Sequence, residues 1–306
     1  MLNPRHGGLP DTPGASRSRP IPYHSRCCMS AQGTGRFPAS CDRMPPGNMS
    51  AIRTVAIVEN RRIATVSRCR DEVVGECRRR GIQVQPEVKE DTDLVIAIGG
   101  DGTLLRAASC VKSPRTLLYG IKHGKVGFLT NAVQDVPAVI GRLASGQFSV
   151  SPRVTLAVKV NGKQERCLNE AVFHRASCRI CSFSLSADGK GVMTVRADGL
   201  IVATPTGSTA HLLAAGGPVL LPEMDAFAAM PIAAHTLACR PVVLPSLMRL
   251  TVSADAPCVV VCDGQREYAV SASEPVTLCG GEKIQLVLER EPGFFEKLSE
   301  KFHWEM

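Results

Sequence analysis

The chain has 306 residues, 44% hydrophobic and 21% charged, the balance of a soluble globular protein with room for two domains. Its longest apolar runs, such as Cys258 to Cys262, fall far short of the roughly 20 residues that span a bilayer, which excludes a membrane-spanning helix and a membrane partner. Of the net charge of +8, residues 1–49 carry half, with six Arg, no Lys and only Asp11 and Asp42 as acids. The remainder is mildly basic, which suits phosphorylated substrates, and no Lys/Arg cluster interleaved with aromatics supports nucleic-acid binding. Thirteen cysteines are scattered, and only Cys178 and Cys181 stand at C-x-x-C spacing with no second pair. They read as reduced thiols of a cytoplasmic protein, none of them a metal ligand.

Residues 1–49 hold eight Pro and no apolar periodicity, so they are expected to form a disordered extension, with Met49 as the natural start. Order is expected from the β-branched run Thr54 to Val58, followed by a helix over Thr65 to Arg80 that stops at Gly81. Leu94 to Ile98 and Leu117 to Ile121 read as further buried strands, and Val133 to Leu143 as a helix. Strands alternating with helices imply βαβ units and a parallel sheet. From about residue 150 the pattern becomes antiparallel β. Val154 to Val160 and Arg166 to Phe173 flank the turn Asn161-Gly162, and Cys181 to Ala187 and Val192 to Ala197 flank Asp188-Gly189. Short strands follow at Leu247 to Val252, Cys258 to Cys262, Tyr268 to Val270 and Ile284 to Leu288, while Ser208 to Ala215 opens a helix. The division expected is an α/β nucleotide-binding domain over 50–149 and a β-rich, sandwich-like domain over 150–285. A terminal segment, 286–306, is expected to pack back on the body, with a helix in Pro292 to Met306.

The strongest local signal is Gly99-Gly100-Asp101-Gly102-Thr103, between a predicted strand and a helix starting near Thr103. Glycines let the backbone approach a ligand closely, and a helix N-terminus favours phosphate. Asp101 stands at the carboxyl edge of the strand, where open α/β sheets bind ligands. A tight turn with Asp101 as a helix cap is the plain structural alternative. The string is neither a dinucleotide fingerprint nor a Walker A loop.

GGDGT resembles a signature shared by NAD kinases, diacylglycerol kinases and sphingosine kinases. Four further stretches resemble the NAD kinase family in its order: Leu168-Asn169-Glu170; Asp198 to Ala210, continued by Ala215-Gly216-Gly217-Pro218; Pro231 to Leu237 with Arg240-Pro241; and Asp263-Gly264-Gln265. The resemblance runs from about residue 93 to 270. It implies phosphorylation of the 2′-hydroxyl of the adenosine ribose of NAD by ATP or polyphosphate, with Mg²⁺ accompanying the triphosphate, in a homodimer or homotetramer. Asp101 is the implied general base, with Gly102 beside it, and Asn169 and Glu170 would hold ribose hydroxyls. Asp198 would face the nicotinamide side and Arg196 a phosphate or a carboxylate. Thr209, Ala210, His211, Leu212, Leu213 and Ala214, with Ala233 and Gln265, would line the rest of the dinucleotide pocket. The sequence departs from the family where His211 replaces a Tyr, where Lys122 and His123 replace the usual Asn segment, and at Ala214, where Ser is commoner. A lipid kinase of the diacylglycerol type and a protein that senses NAD without turning it over are the competing readings.

The compositional break yields a first prediction. A chain beginning at Met49 should fold, and should turn over substrate as the full chain does. Insolubility or inactivity of the shortened chain alone, seen in parallel expression and assay, would make the extension structural.

Overall fold

The computed structural model describes residues 52–123, 127–288 and 293–303; the expectations for residues 1–49, for Pro292 and for residues 304–306 lie outside these. The first region runs β1 (Thr54–Glu59), α1 (Ala64–Arg79), β2 (Gln83–Gln85), β3 (Leu94–Gly99), α2 (Asp101–Cys110), β4 (Leu117–Lys122) and α3 (Val136–Ala144). The strands pair in parallel in the order β2-β1-β3-β4. β3 is buried along its whole length, as a strand covered on both faces must be. Leu94, Ile96 and Ile98 join Val66 and Val73 of α1 and Val139, Ile140 and Leu143 of α3 in one core. The alternate residues Val95 and Ala97 join Leu104 and Ala108 of α2 in another. This period-two division puts α2, with Asp101 in its first turn, on the face opposite α1 and α3. α3 begins where the Asp135 carboxylate caps Ala138 N at 2.9 Å and is terminated two residues after Ala144 by Gly146, whose φ is 73°.

The second region continues with β5 (Ser149–Val160), β6 (Lys163–Cys167), β7 (Glu170–Arg175), β8 (Cys181–Ala187), β9 (Lys190–Ala197) and β10 (Gly199–Ala203). A 3₁₀ turn (Gly207–Thr209) and the short α4 (His211–Ala214) follow. Then come β11 (Ala226–Ile232), β12 (Val242–Pro245), β13 (Leu250–Ala254), β14 (Cys258–Cys262), β15 (Arg266–Val270), β16 (Val276–Leu288) and α5 (Phe294–Phe302). The long β16 is the seam between the two regions. Its end pairs in parallel with β4, its start pairs with β13, and β5 runs antiparallel along it. One ten-stranded sheet results, and β7, β10, β11, β12, β14 and β15 form a second, antiparallel sheet of six. Between the sheets lies a sandwich core in which Phe173, Leu200, Phe227 and Val260 meet Leu156, Phe183, Val252 and Leu278.

The α/β region with a parallel sheet and the β-rich region are therefore both present. Three expected elements differ. Arg166 to Phe173 is not one strand: β6 ends at Cys167 in the large sheet and β7 starts at Glu170 in the small one. Leu247 precedes its strand, which begins at Leu250, and is 95% exposed in the turn before it. The expected helix at Ser208 to Ala215 is split into the 3₁₀ turn and α4, broken at Ala210 with φ −106° and ψ −123°. At the C-terminus α5 packs back through Phe294, whose ring lies 6.2 Å from that of Phe128. No helix among the described residues is long and apolar enough to cross a membrane.

Candidate functional site

α2 begins at Asp101, two residues before Thr103, with Gly100 as its N-cap and no side-chain cap. The Asp101 carboxylate does not cap the helix but reaches the turn after β4. Phe128 N donates to its Oδ2 at 2.8 Å, and Leu129 N and Thr130 Oγ1 donate to Oδ1 at 3.3 and 3.1 Å. Gly127 must be glycine, because a Cβ there would collide with this carboxylate. Each carboxylate oxygen has two lone pairs, so Oδ2 keeps one for a ligand hydroxyl. Asp101 is half-buried, open enough to be reached.

Opposite this loop stands the tip of the β14–β15 hairpin. Asp263, at φ 50°, and Gly264, at φ 64°, are the left-handed central pair of its three-residue loop, closed by Gln265 N donating to Cys262 O at 3.0 Å. The buried Asp263 carboxylate accepts from three consecutive amides, Leu168 N at 2.8 Å, Asn169 N at 2.8 Å and Glu170 N at 3.1 Å. These are the residues where the chain leaves one sheet for the other. Gly207 packs against the same backbone so closely that a Cβ would strike the Asn169 carbonyl. Two residues past Asp263, the exposed Gln265 donates from Nε2 to Gly102 O at 3.0 Å. The hairpin tip thus bridges Asn169 and Glu170 to the loop that carries Asp101.

Asn169 Oδ1, Glu170 Oε2 and Thr206 Oγ1 are buried polar atoms with no hydrogen-bond partner. Buried polar atoms are normally satisfied, so this cluster points to a ligand with hydroxyl groups. Burial pushes the Glu170 carboxyl up to about 8, with the neighbouring Asp263 charge adding to the rise. Burial also raises Asp263, against the opposing pull of its three amide bonds. In the absence of ligand Glu170 is therefore protonated at neutral pH and is a donor as well as an acceptor.

A second group lies at the other end of β10. Ala203 pairs with Glu170 and Gly199 with His174, so four residue steps, about 13 Å of strand, separate the two ends. Here Asp198 Oδ1 accepts from Arg175 Nε at 2.7 Å, and Arg175 also donates to Ser177 O. Arg175, absent from the sequence-based set, is thus the partner of Asp198, while Arg196 is exposed and offers its carbonyl to His235 N at 2.8 Å. Ala233 follows β11 at φ 47° and is exposed beside them. His211 is exposed and its ring stacks 6.2 Å from that of His174, whose pKa is lowered by burial and then by the charge of His211. Thr209 Oγ1 donates to Thr206 O at 3.3 Å. Ala210 and Leu213 are half-buried and Ala214 is exposed. The Leu212 side chain is fully buried against Val172, Ile201 and Ala228, which leaves only its backbone for a ligand.

A cleft of about 1060 Å³ opens beside the GGDGT loop, lined by Gly100, Gly102, Thr103, Gln265 and four arginines, Arg61, Arg62, Arg70 and Arg106. Arg61 and Arg70 contact Glu59 at 3.2 Å, and Arg106 donates to the Glu59 carbonyl at 2.5 Å. These arginines escaped the sequence reading, although Arg61-Arg62 directly follows a strand at the ligand-binding edge of the sheet. With the N-terminus of the ten-residue α2 they make an anion-binding surface. No group of three or more His, Cys, Asp or Glu suited to a metal occurs among the described residues.

Glu170 gives a pH prediction for the ligand-free protein. Its folded pKa of about 8 exceeds the unfolded value of ~4.3, so the folded state binds more protons between the two. The contribution is complete below the unfolded value and is lost as pH rises through about 8. Unfolding free energies measured from about pH 5 to pH 8.5 should fall more steeply for the wild type than for Glu170→Gln. Parallel curves would contradict the assignment.

Residues 55–147 match the ATP-NAD kinase N-terminal domain family and residues 168–289 the ATP-NAD kinase C-terminal domain family. The NAD kinase of Gemmatimonas aurantiaca is 38% identical over 231 residues, 69% of this chain and 78% of that protein. The NAD kinase of Azotobacter vinelandii is 35% identical over 238 residues, 73% and 81% of the two chains. Among solved structures, an Archaeoglobus fulgidus NAD kinase in complex with ATP superposes with a TM-score of 0.68 at 26% identity, over 82% of this chain and 98% of that one. Yeast NADH kinase complexed with NADH shares the fold, with a TM-score of 0.75 at 19% identity over 84% and 89%. With both domain families matched in order and relatives this similar over most of their length, the chain belongs to the NAD kinase family.

Proposed function

We propose that Asp101 is the general base in the reaction that family membership gives this chain, the phosphorylation of NAD by ATP to NADP and ADP. The observation that carries the reading is the Asp101 carboxylate, oriented by three donors and left with a lone pair on Oδ2. The acceptor is the 2′-hydroxyl of the adenosine ribose. Its proton passes to Oδ2 as the oxygen attacks the terminal phosphorus, and ADP departs in line. Asn169 and Glu170 hold the ribose, which satisfies the atoms left without partners in the ligand-free site. The dinucleotide then runs along β10 toward Asp198, Arg196, Ala233 and the His174–His211 pair, a span of about 13 Å that suits its length. The rings of His211 and His174 cover its far end. The four arginines of the cleft hold the triphosphate, where positioning and electrostatics supply most of the acceleration.

A divalent cation such as Mg²⁺ would be carried on the triphosphate, in keeping with described residues that hold no group of three or more His, Cys, Asp or Glu suited to a metal. Its chemistry there is to neutralise phosphate charge. The ten cysteines of the described residues are all unpaired thiols, which supports a cytoplasmic setting. Assembly into a homodimer or homotetramer is supported by exposed Leu237, Val243 and Leu247 in and around the edge strand β12.

The test is NADP formation from Mg-ATP and NAD by the wild type and Asp101→Asn. The amide oxygen can still accept from Phe128 N and its nitrogen can donate to Thr130 Oγ1, so the exchange forfeits chiefly the 3.3 Å bond. Turnover should fall by at least ~10², the range of general-base contributions, while NAD binding measured by calorimetry persists. Near-normal turnover would remove Asp101 from that role.

A further inference from the structure

Lys297, on α5, is only 8% exposed, an unusual position for an ammonium. Its Nζ donates to Phe128 O at 3.3 Å. Phe128 is the residue whose own amide donates to Asp101 Oδ2 at 2.8 Å. Two more α5 residues contact Phe128. The Phe294 ring lies 6.2 Å from its ring, and Lys301 Nζ lies 4.4 Å from its ring centroid. The turn that orients Asp101 is therefore held from behind by the C-terminal helix, by apolar contact, by a cation over a ring and by one hydrogen bond from a buried charge.

The electrostatics explain why a lysine is tolerated there. Burial lowers the Lys297 pKa, Asp101 raises it, and Arg153 and Lys122 lower it. Lys122 ends β4, Arg153 is buried on β5 and Asp101 opens α2, so the Lys297 ammonium feels one carboxylate and two cations from three other elements. A methionine of similar length would dock the helix without the desolvation penalty. The charge thus has a purpose other than packing.

We infer that Lys297 is a positioning residue for Asp101, bracing the Phe128 turn and holding the carboxylate toward the acceptor hydroxyl. The C-terminal helix is thereby part of the catalytic apparatus rather than a simple cover. The inference rests on Asp101 being the base. Small displacements from remote substitutions can reduce turnover by ~10², and that is the scale at stake.

The experiment uses the full chain with Lys297→Met, Lys297→Gln, Lys297→Arg and, as a packing control, Leu298→Ala, the 2%-exposed neighbour on the same helix. Steady-state kinetics of NADP formation and melting temperatures are recorded for each, and for Asp101→Asn with and without Lys297→Met. Expected for Lys297→Met and Lys297→Gln is a kcat lower by about 10- to 100-fold, with KM for NAD changed by less than about threefold and melting unchanged or raised. Lys297→Arg should recover most of the loss, and Leu298→Ala should lower melting with a smaller effect on kcat. In the Asp101→Asn background Lys297→Met should add less than about threefold, since no base remains to be held. Wild-type kcat in both neutral variants, or fully additive losses in the double variant, would overturn the inference. If Asp101→Asn itself keeps its turnover, the base reading fails instead, and the two failures are distinguishable.

Discussion

The site depends on one buried carboxylate, that of Asp263. Three successive amides, from Leu168 to Glu170, donate to it, and they lie where the chain crosses from the large sheet to the small one. Without that acceptor three buried N–H groups would stand unsatisfied, at roughly 1–3 kcal/mol each. The same hairpin tip carries Gln265 to Gly102. A single turn therefore fixes the backbone of Asn169 and Glu170, ties the β-rich region to the GGDGT loop, and adds its charge to the burial that raises the pKa of Glu170.

Around this tie the two regions contribute different chemistry. The parallel sheet offers what α/β sheets offer at their carboxyl edge: a glycine loop, a helix N-terminus and arginines, all suited to phosphate. The antiparallel sheet offers a flat run of backbone about 13 Å long between Glu170 and His174, suited to an extended ligand. β16 welds them, because it pairs with β4 at one end and with β13 at the other. Phosphoryl transfer needs little covalent chemistry from a protein but exact relative placement of donor and acceptor. A continuous strand and a bridging turn are rigid means to that placement.

How legible this was from sequence varied with the range of the interactions involved. GGDGT and its flanking strand and helix are local, and their period and turn residues announce them. The break at Leu168-Asn169 was not legible. The stretch from Arg166 to Phe173 reads as one strand, and the carboxylate that breaks it lies 95 residues later than Leu168. The Arg175–Asp198 pair was missed for the same reason, as a residue at the end of β7 and one in the bend between β9 and β10 with no local pattern joining them. β11 was hidden by its alanines and Pro231, which strands disfavour. The structure accommodates that proline because β12 pairs only with residues 226–229, leaving Pro231 beyond its reach. The brace on Asp101 was equally invisible, since nothing in α5 announces that Lys297 turns inward toward residue 128.

The central claim, that the Asp263 clamp assembles the site, is tested most directly by measuring NAD affinity and unfolding free energy for Asp263→Ala. Loss of three amide partners should lower stability by about 3 kcal/mol or more and weaken NAD binding at least ~10-fold, even though Asp101 is untouched. Wild-type affinity and stability in that variant would contradict the account.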